Sequence, residues 1–204
     1  MNLLADIGLL LFAYLCGSLP SSIWLTRWKT GKDVRLAGSK HATATNTMRQ
    51  AGWGIGILVL ILDIGKGFLP VFLAQRLQSP DWMVMLVAVL AVVGHCWPIF
   101  AGFKGGMGLA TASGTMLAIY PFAFLIGLGI LVLLMLVIKH AARAVVIAAI
   151  VIPVVYWLVG FRGAVLWVAI GLAVLVGLRF LIDWRRQYRE LWLDREPISE
   201  DNPE

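Results

Sequence analysis

The stretch Leu109–Ile138, LATASGTMLAIYPFAFLIGLGILVLLMLVI, decides how many times the chain crosses a membrane. It is almost entirely apolar, yet it is longer than the roughly 17–25 residues that one transmembrane helix needs. Proline disfavours helical geometry at the residue before it, so the pair Tyr120-Pro121 favours a break. One tilted helix here gives the chain six passes in total. A short helix over Leu109–Ile119 followed by a full one over Phe122–Ile138 gives seven.

The rest of the chain is also strongly apolar. Of its 204 residues, 60% are hydrophobic and 14% are charged, whereas a soluble domain is roughly half apolar and a quarter charged. This composition predicts an all-α, polytopic membrane helical bundle with no room for a sizeable soluble domain. Five further apolar runs are long enough to cross, at Leu3–Leu25, Trp53–Ala74, Trp82–Phe100, Ala144–Gly160 and Ala164–Ile182.

Basic residues decide between six and seven passes, because loops rich in lysine and arginine stay in the cytoplasm. The basic loop 27–49 is therefore taken as cytoplasmic. Six passes would put Lys139, Arg143 and the basic start of the tail outside, whereas seven leave only Arg76 and Arg162 there. We expect about seven transmembrane helices, some short or broken, with the N-terminus outside and the C-terminus cytoplasmic. Residues 1–189 are expected to form one membrane domain, and residues 190–204 a polar cytoplasmic tail.

This orientation places every unusual polar stretch on the cytoplasmic side. The net charge of +6 fits such an arrangement and fits an anionic ligand equally well. The polar stretches are residues 16–22 continuing through 31–49, residues 94–114, and residues 139–143 with the start of the tail.

The glycine loop, GFKGGMG at residues 102–108, has the composition of an anion-binding turn. Closely spaced glycines let backbone N–H groups approach an anion, and a helix that begins near Gly108 adds the positive end of its dipole. Lys104 adds a full charge, and His95 and Thr111 lie nearby in sequence. A glycine-rich turn between close-packed membrane helices is the alternative. The pattern favours a phosphate site, although its residue order is not that of the nucleotide-binding P-loop.

The segment GSKHATATNTMR, residues 38–49, supplies hydroxyl, amide and guanidinium groups. On a helix Thr45 and Arg49 share one face, and with Ser39 and Asn46 they are able to bind one anionic ligand. A solvated loop with a helix start rich in serine and threonine is the alternative.

Asp63 and Lys66 lie inside the second span, where ionisable side chains are costly and either pair or face the bundle interior. Two interpretations of Asp63 and Lys66 remain open: they form a mutual ion pair, or they orient the site.

The chain resembles the bacterial membrane-integral acyl-phosphate:glycerol-3-phosphate acyltransferases over most of its length, from AYLCGSLPSS to RELWLDRE. The family pattern G-H-x-[FW]-P-x-F-x-G-F-K-G-G-K-G-x-A-T is followed from Gly94 to Thr111 except at Met107. The pattern D-x-x-K-G-x-x-P is present as DIGKGFLP, residues 63–70. The first family motif, near G-S-G-N-x-G-A-T-N-x-x-R, is kept at Gly38, Ser39, Ala44, Thr45, Asn46 and Arg49.

The chain departs from the family at several motif positions. In the first motif Lys40, His41 and Thr43 replace glycine, asparagine and glycine. Met107 replaces the second lysine of K-G-G-K-G, so the loop loses one positive charge.

Two further motifs are only partly kept. The third motif, usually R/K-x-x-S-L, starts at Lys139 and lacks its serine. In the tail motif Leu191 and Glu196 are kept, and Gln187 stands for an asparagine. The acyl-phosphate half of the site is therefore closer to the family than the acceptor half.

The resemblance implies transfer of a fatty acyl group from acyl phosphate to the hydroxyl of glycerol 3-phosphate, which gives lysophosphatidic acid for phospholipid synthesis. The donor is already activated, so no covalent nucleophile, cofactor or metal is expected. The general base is either His95 or, as we prefer, a substrate phosphate oxygen. The implied catalytic residues are Ser39, Arg49, His95 and Lys104. The implied substrate-binding residues are Thr45, Asn46, Gly102, Gly105, Gly106, Gly108, Thr111, Lys139, Gln187 and Glu196.

The expected partners are the two substrates and membrane lipid, with no nucleic acid, and also the enzyme that makes the acyl phosphate. The resemblance places the protein in the bacterial cytoplasmic (inner) membrane, with its site facing the cytoplasm. One alternative is a small-anion transporter or channel, which also puts lysine and glycine at a broken helix. The other is a divergent acyltransferase with another acceptor. The nearly featureless stretch 145–182 argues against a transporter with paired broken segments.

Overall fold

The computed structural model describes residues 3–185, and all regular structure in that range is helical. The predicted all-α membrane bundle is therefore confirmed. Two 3₁₀ turns, Val34–Leu36 and Ile99–Ala101, accompany the α-helices. The helices are α1 Leu3–Gly17, α2 Ser21–Thr30, α3 Ala44–Ala51, α4 Trp53–Arg76, α5 Asp81–Cys96, α6 Leu109–Ile119, α7 Pro121–Ile138, α8 Ala141–Leu158 and α9 Gly163–Leu181. The predicted tail 190–204 lies outside the described residues.

Six helical segments within residues 3–185 are long and apolar enough to cross a membrane, and α6 is a shorter apolar helix. The prediction of about seven helices, some of them short, corresponds to these six segments plus α6. The stretch 109–138 does break at Tyr120, and Pro121 is the first residue of α7. Proline is favourable at that position, because the first N–H of a helix has no acceptor within the helix.

The first span is broken, although its apolar sequence predicts one continuous crossing from Leu3 to Leu25. α1 ends at Gly17 and α2 begins at Ser21, with Pro20 between them. Proline lacks the N–H that would continue the helix. The polar residues that follow it turn into the bundle, where Ser22 Oγ lies 2.8 Å from Thr47 Oγ1 of α3.

The polar stretches meet at one end of the bundle, which we call the loop end. Arg35 donates to the carbonyl of Ala101 at 2.9 Å, and Arg143 donates to the carbonyl of Trp184 at 3.4 Å. His41 also contacts Asp183, the second residue after α9. The prediction that these stretches share one side is therefore borne out by contacts between them.

The opposite end, which we call the far end, carries the α4–α5 and α8–α9 connections. Tyr120 packs edge-on against Phe161 there, with ring centroids 5.7 Å apart. α6 therefore runs away from the loop end and α7 returns to it.

α6 starts inside the bundle rather than at its surface. It has 11 residues, about 16 Å at 1.5 Å per residue, which is roughly half the hydrocarbon thickness of a bilayer. Its start packs on the middle of α4, where a Cβ on Gly67 would lie 2.1 Å from the carbonyl oxygen of Thr111. A Cβ on Gly114 would lie 2.0 Å from the carbonyl oxygen of Ile64. The glycine loop before α6 therefore dips into the bundle from the loop end.

Candidate active site

A polar cavity of about 680 Å³ opens beside the glycine loop at the loop end. Its walls come from three parts of the chain that are distant in sequence: the segment after α2, the stretch from the end of α5 through the glycine loop, and the last turn of α9. The lining residues are Asp33, Arg35, Leu36, Lys40, His41, Trp97, Ala101, Gly102, Phe103, Lys104, Gly105 and Arg179. Three predicted site residues, Gly102, Lys104 and Gly105, are therefore in the cavity wall.

Positive charge dominates this cavity. Lys40, Lys104, Arg35 and Arg179 line it, and Asp33 is the acidic group among the lining residues. The Arg35 guanidinium lies 2.7 Å from the Asp33 carboxylate. That hydrogen bond lowers the pKa of Asp33 below its ordinary value, so this carboxylate stays ionised and one cation is neutralised. The remaining cations favour a ligand with at least one phosphate.

Arg35 also ties two walls of the cavity together. Besides Asp33 and Ala101, it donates to the carbonyl of Lys104 at 3.1 Å. The segment after α2 is thereby fixed on the glycine loop, which determines where the Lys104 side chain emerges.

The glycine loop is shaped by close backbone packing. The N–H of Gly105 donates to the carbonyl of Cys96 at 3.2 Å, and that of Gly106 to the carbonyl of His95 at 3.1 Å. A Cβ on Gly106 would lie 2.2 Å from His95 Nε2 and 2.6 Å from the carbonyl oxygen of Ala42. The expectation that these two N–H groups face an anion is therefore wrong, because both already have carbonyl acceptors. Glycine is present at these positions because a larger side chain does not fit. This agrees with the alternative interpretation, a glycine-rich turn between close-packed membrane helices.

The start of α6 is the part of the loop with N–H groups left for a ligand. Gly108 precedes α6 with φ of 87°, a left-handed conformation that suits glycine. The first N–H groups of a helix have no acceptor within it. Thr111 in this first turn is fully buried, and its hydroxyl has no hydrogen-bond partner among the described residues. Such a helix start has the N–H groups and the positive dipole end that suit an anion.

A layer of buried ionisable groups lies beneath the loop. Lys66 Nζ is 2.8 Å from Asp63 Oδ1 and donates to the carbonyl of Leu19 at 3.0 Å. Ser21 donates to the same Asp63 oxygen at 2.6 Å, and His95 Nδ1 lies 3.8 Å from it. Asp63 and Lys66 therefore form the ion pair that the sequence allowed, and they hold the α1–α2 break against α4.

Comparisons with known proteins show which family the chain belongs to. The family profile described as "Glycerol-3-phosphate acyltransferase" matches residues 7–191. The glycerol-3-phosphate acyltransferase of Escherichia fergusonii is 38% identical over 205 residues, 97% of each chain, and that of Citrobacter koseri is 36% identical over 204 residues, again 97% of each. The chain belongs to the glycerol-3-phosphate acyltransferase family.

Solved structures of the family have the same fold. The glycerol 3-phosphate form of PlsY, an integral membrane glycerol 3-phosphate acyltransferase, superposes with a TM-score of 0.81 at 33% identity, covering 89% of this chain and 91% of that one. The lysophosphatidic acid form of PlsY superposes with a TM-score of 0.77 at 31% identity, with the same coverage of both chains. The chain is thus a membrane acyltransferase, and the transporter alternative is set aside.

Asn46 has a different place in this acyltransferase from the one expected. It is fully buried, and its side-chain nitrogen is within hydrogen-bond distance of the carbonyls of Val34, Ala37 and His41 at 2.9–3.2 Å. Its oxygen accepts from the N–H of Ser39 at 3.4 Å. In this structure the Asn46 side chain therefore shapes the segment between α2 and α3, and it shows no free polar atom for a substrate.

The other predicted residues lie at several different places. His95 and Gly106 lie one layer beneath the cavity. Ser39 is half-buried beside the cavity wall, whereas Thr45 and Arg49 share the exposed face of α3. Lys139 is exposed at the end of α7. Gln187 and Glu196 lie outside the described residues.

Sequence reasoning missed Arg179 of the acyltransferase. This residue is in the last turn of α9, its Nε is 3.4 Å from the carbonyl oxygen of Gly106, and its guanidinium lies 5.5 Å from the centroid of the Trp97 ring. The sequence does contain one indication of it: Arg179 is a single cation inside an apolar span, and such residues often mark functional sites.

An apolar cavity of about 120 Å³ lies between α6, α7, α8 and α9. Leu109, the residue after the glycine loop, lines one part of it, and so does Val176, one turn before Arg179. Phe124 and Tyr156 line it nearer the far end. The cavity therefore extends from beneath the polar cavity into the apolar interior.

Proposed function

We propose that this protein transfers a fatty acyl group from an acyl phosphate to the hydroxyl of glycerol 3-phosphate, which gives lysophosphatidic acid and inorganic phosphate. The observation that carries the proposal is the cation-rich cavity beside the glycine loop, where Lys40, Lys104, Arg35 and Arg179 surround one carboxylate. Both substrates carry phosphate, and holding them side by side turns acyl transfer into an effectively unimolecular step.

The donor phosphate lies between Lys104, Arg179 and the buried start of α6. As the carbonyl is attacked, negative charge grows on the departing phosphate, and fixed cations stabilise that charge. Arg179 is held by Gly106 and Trp97, so its guanidinium is oriented before the donor arrives.

The acyl chain of the donor lies in the apolar cavity between α6 and α9, which begins at Leu109 next to the phosphate position. Burial of each CH₂ group is worth about 0.8 kcal/mol. A chain anchored there keeps its carbonyl at the polar end.

The acceptor enters the polar cavity along the segment after α2. Ser39 and Arg49 contact the acceptor as the catalytic residues that the resemblance implies. Asn46 acts indirectly, because its hydrogen bonds shape this segment. The related PlsY structure is a glycerol 3-phosphate form, which supports glycerol 3-phosphate as the acceptor here. Lys40 places an additional cation on this side.

The loop end faces the cytoplasm of a bacterium, in the cytoplasmic (inner) membrane, as the distribution of basic residues predicts. In that orientation the water-soluble acceptor reaches the cavity directly, and the enzyme that makes acyl phosphate delivers its product to the same face. Residues 1–189 form one acyltransferase domain.

Purified protein incubated with palmitoyl phosphate and glycerol 3-phosphate tests the proposal. We expect lysophosphatidic acid and inorganic phosphate in equal amounts, and no product when palmitoyl-CoA replaces palmitoyl phosphate. Product from palmitoyl-CoA alone would overturn the assigned donor, and no product from either donor would overturn the proposed reaction.

A further inference from the structure

We infer that Tyr156 closes the acyl-chain cavity at the far end of the bundle and sets the longest acyl chain that the protein transfers efficiently. The inference rests on the proposed acyl transfer and adds a residue that determines chain-length specificity. Tyr156 lies in the nearly featureless stretch 145–182, outside every motif that carries the resemblance, so the sequence alone does not single it out.

The apolar cavity between α6, α7, α8 and α9 is about as long as one acyl chain of a membrane lipid. Its lining on α8 begins at Val145, near the loop end, and finishes at Tyr156, near the far end. These two residues are about 16 Å apart along the helix at 1.5 Å per residue. The hydrocarbon core of a bilayer is about 30 Å thick and contains two layers of chains, so one chain occupies about 15 Å. A single extended chain therefore fills the cavity from end to end.

The carbonyl end of the chain is fixed on the loop-end side of the cavity. Leu109, the residue after the glycine loop, lines the cavity there, and the proposed phosphate position lies between Lys104, Arg179 and the start of α6. Because the reacting carbonyl has to stay beside that phosphate, each added CH₂ group moves the methyl end of the chain closer to Tyr156. Chain length is thereby measured from a fixed point.

The Tyr156 ring is held firmly in place. The residue is 1% exposed, and its hydroxyl donates to the carbonyl of Ala123 on α7. Phe161, in the α8–α9 connection, packs edge-on against the ring with centroids 5.3 Å apart, and Tyr120 packs against Phe161 in turn. A chain that reaches Tyr156 therefore meets an aromatic cluster that does not move aside.

Gly127 shows how closely Tyr156 is fitted against α7. It is buried and lines the cavity, and a Cβ at this position would lie 2.6 Å from the Tyr156 hydroxyl oxygen. The tyrosine thus bridges α8 and α7, and it is the lining residue of α8 nearest the far end. A longer chain has to bend within the cavity or pull its carbonyl away from the phosphate position. Either change slows transfer, because the reacting groups lose their alignment.

A series of acyl phosphates from dodecanoyl to docosanoyl tests the inference on the purified full-length protein, with glycerol 3-phosphate as the acceptor and one detergent throughout. We expect wild-type protein to accept palmitoyl phosphate. For docosanoyl phosphate kcat/KM should fall by about tenfold or more, since forcing extra CH₂ groups into packed apolar space costs at least roughly the energy of a tenfold change in rate.

Two variants should move this limit in opposite directions. Tyr156→Leu removes the ring and leaves space at the far end, so the drop in kcat/KM should shift to chains longer by about two carbons or more. Ile152→Phe adds a ring one turn nearer the loop end, where residue 152 also lines the cavity, so the drop should shift to shorter chains. In both variants the KM for glycerol 3-phosphate should change little, because the polar cavity is untouched.

Tyr156→Phe and Trp157→Leu are the matched controls. The first keeps the ring and loses only the hydroxyl, whereas the second removes an aromatic ring from the exposed face of the same helix. Both should keep the wild-type chain-length profile. Thermal unfolding in detergent shows which variants are folded, and if Tyr156→Leu is not, the profile of Ile152→Phe decides.

The outcomes for this limit and for the proposed function are separate. If wild-type protein forms lysophosphatidic acid but transfers docosanoyl groups as well as palmitoyl groups, or if folded Tyr156→Leu keeps the wild-type profile, the role of Tyr156 is wrong and the proposed function stands. An unchanged profile in folded Ile152→Phe leads to the same conclusion. If wild-type protein forms no lysophosphatidic acid from any acyl phosphate, the proposed function is overturned, and the role of Tyr156 with it.

Discussion

Arg179 is the residue whose position says most about the chemistry of the cavity. It reaches from α9 to the carbonyl of Gly106 and brings a cation to the loop that already carries Lys104. The sequence predicts Lys104, because that lysine lies within a dense glycine motif. It does not predict Arg179, because nothing local shows that the end of α9 returns to residue 106.

Arg179→Ala should lower kcat/KM for palmitoyl phosphate by about 100-fold, since removing a fixed group that stabilises transition-state charge costs about 10²–10³-fold. Arg179→Lys should lose less, because it keeps the charge but not the planar guanidinium. The matched control is Arg76→Ala, an exposed arginine at the far end that lies over Phe72. Equal losses in Arg179→Ala and Arg76→Ala would show that Arg179 has no special role.

Asn46 shows the limit of reading a residue from its motif. The motif predicts that the Asn46 side chain contacts the substrate. In the structure its amide nitrogen lies within hydrogen-bond distance of three carbonyls of its own segment. Motif position alone does not separate these roles, because both need an amide at the same place. A buried amide is distinguished only when its acceptors are known.

At the scale of elements, the crossing of α4 and α6 determines how deep the site lies. Gly67 and Gly114 let the two backbones touch, so the start of α6 reaches the middle of the bundle. Sequence predicted the break at Tyr120-Pro121, because proline acts locally. It did not predict the break before Ser21, where Pro20 lies within an otherwise apolar run.

Gly67→Ala should destabilise the protein by about 1–3 kcal/mol or more, because its Cβ meets the Thr111 backbone and overpacking costs energy of this order. Gly65→Ala, two residues earlier on α4, is the control, since a Cβ there has nothing within 4 Å. Thermal unfolding in detergent measures both. A similar midpoint for the two variants would contradict the close crossing.

The cavity between α6 and α9 predicts how acyl chains are selected. Ala173→Phe places a large ring in that cavity and should reduce turnover of long acyl phosphates more than of short ones. Val174→Phe, on the adjacent exposed face of α9, should leave the chain-length profile unchanged. A series from octanoyl to palmitoyl phosphate measures this. Parallel profiles in both variants would place the chain elsewhere.

At the scale of the whole molecule, the loop end carries the basic loops, the cavity and the end of α9. Charge counting predicted this common side, because orientation depends on where lysine and arginine accumulate. Distances within the site were not predictable, since they depend on packing between helices far apart in sequence.

The proposed orientation predicts the labelling of introduced cysteines in a native membrane. Lys139→Cys at the loop end should react with a membrane-impermeant maleimide only after the membrane is opened, whereas Gln78→Cys at the far end should react in spheroplasts. The parent chain is the control, since Cys96 is buried and Cys16 partly buried. The reverse pattern would place the site outside.

The most direct test of the central idea is the initial rate of lysophosphatidic acid formation from palmitoyl phosphate and glycerol 3-phosphate by wild-type protein and Lys104→Ala, with exposed Lys29→Ala as the control. A cavity that holds phosphate through Lys104 predicts steady product formation by wild type and Lys29→Ala, and a loss of about 100-fold or more in folded Lys104→Ala. Turnover of Lys104→Ala equal to that of wild type would contradict it.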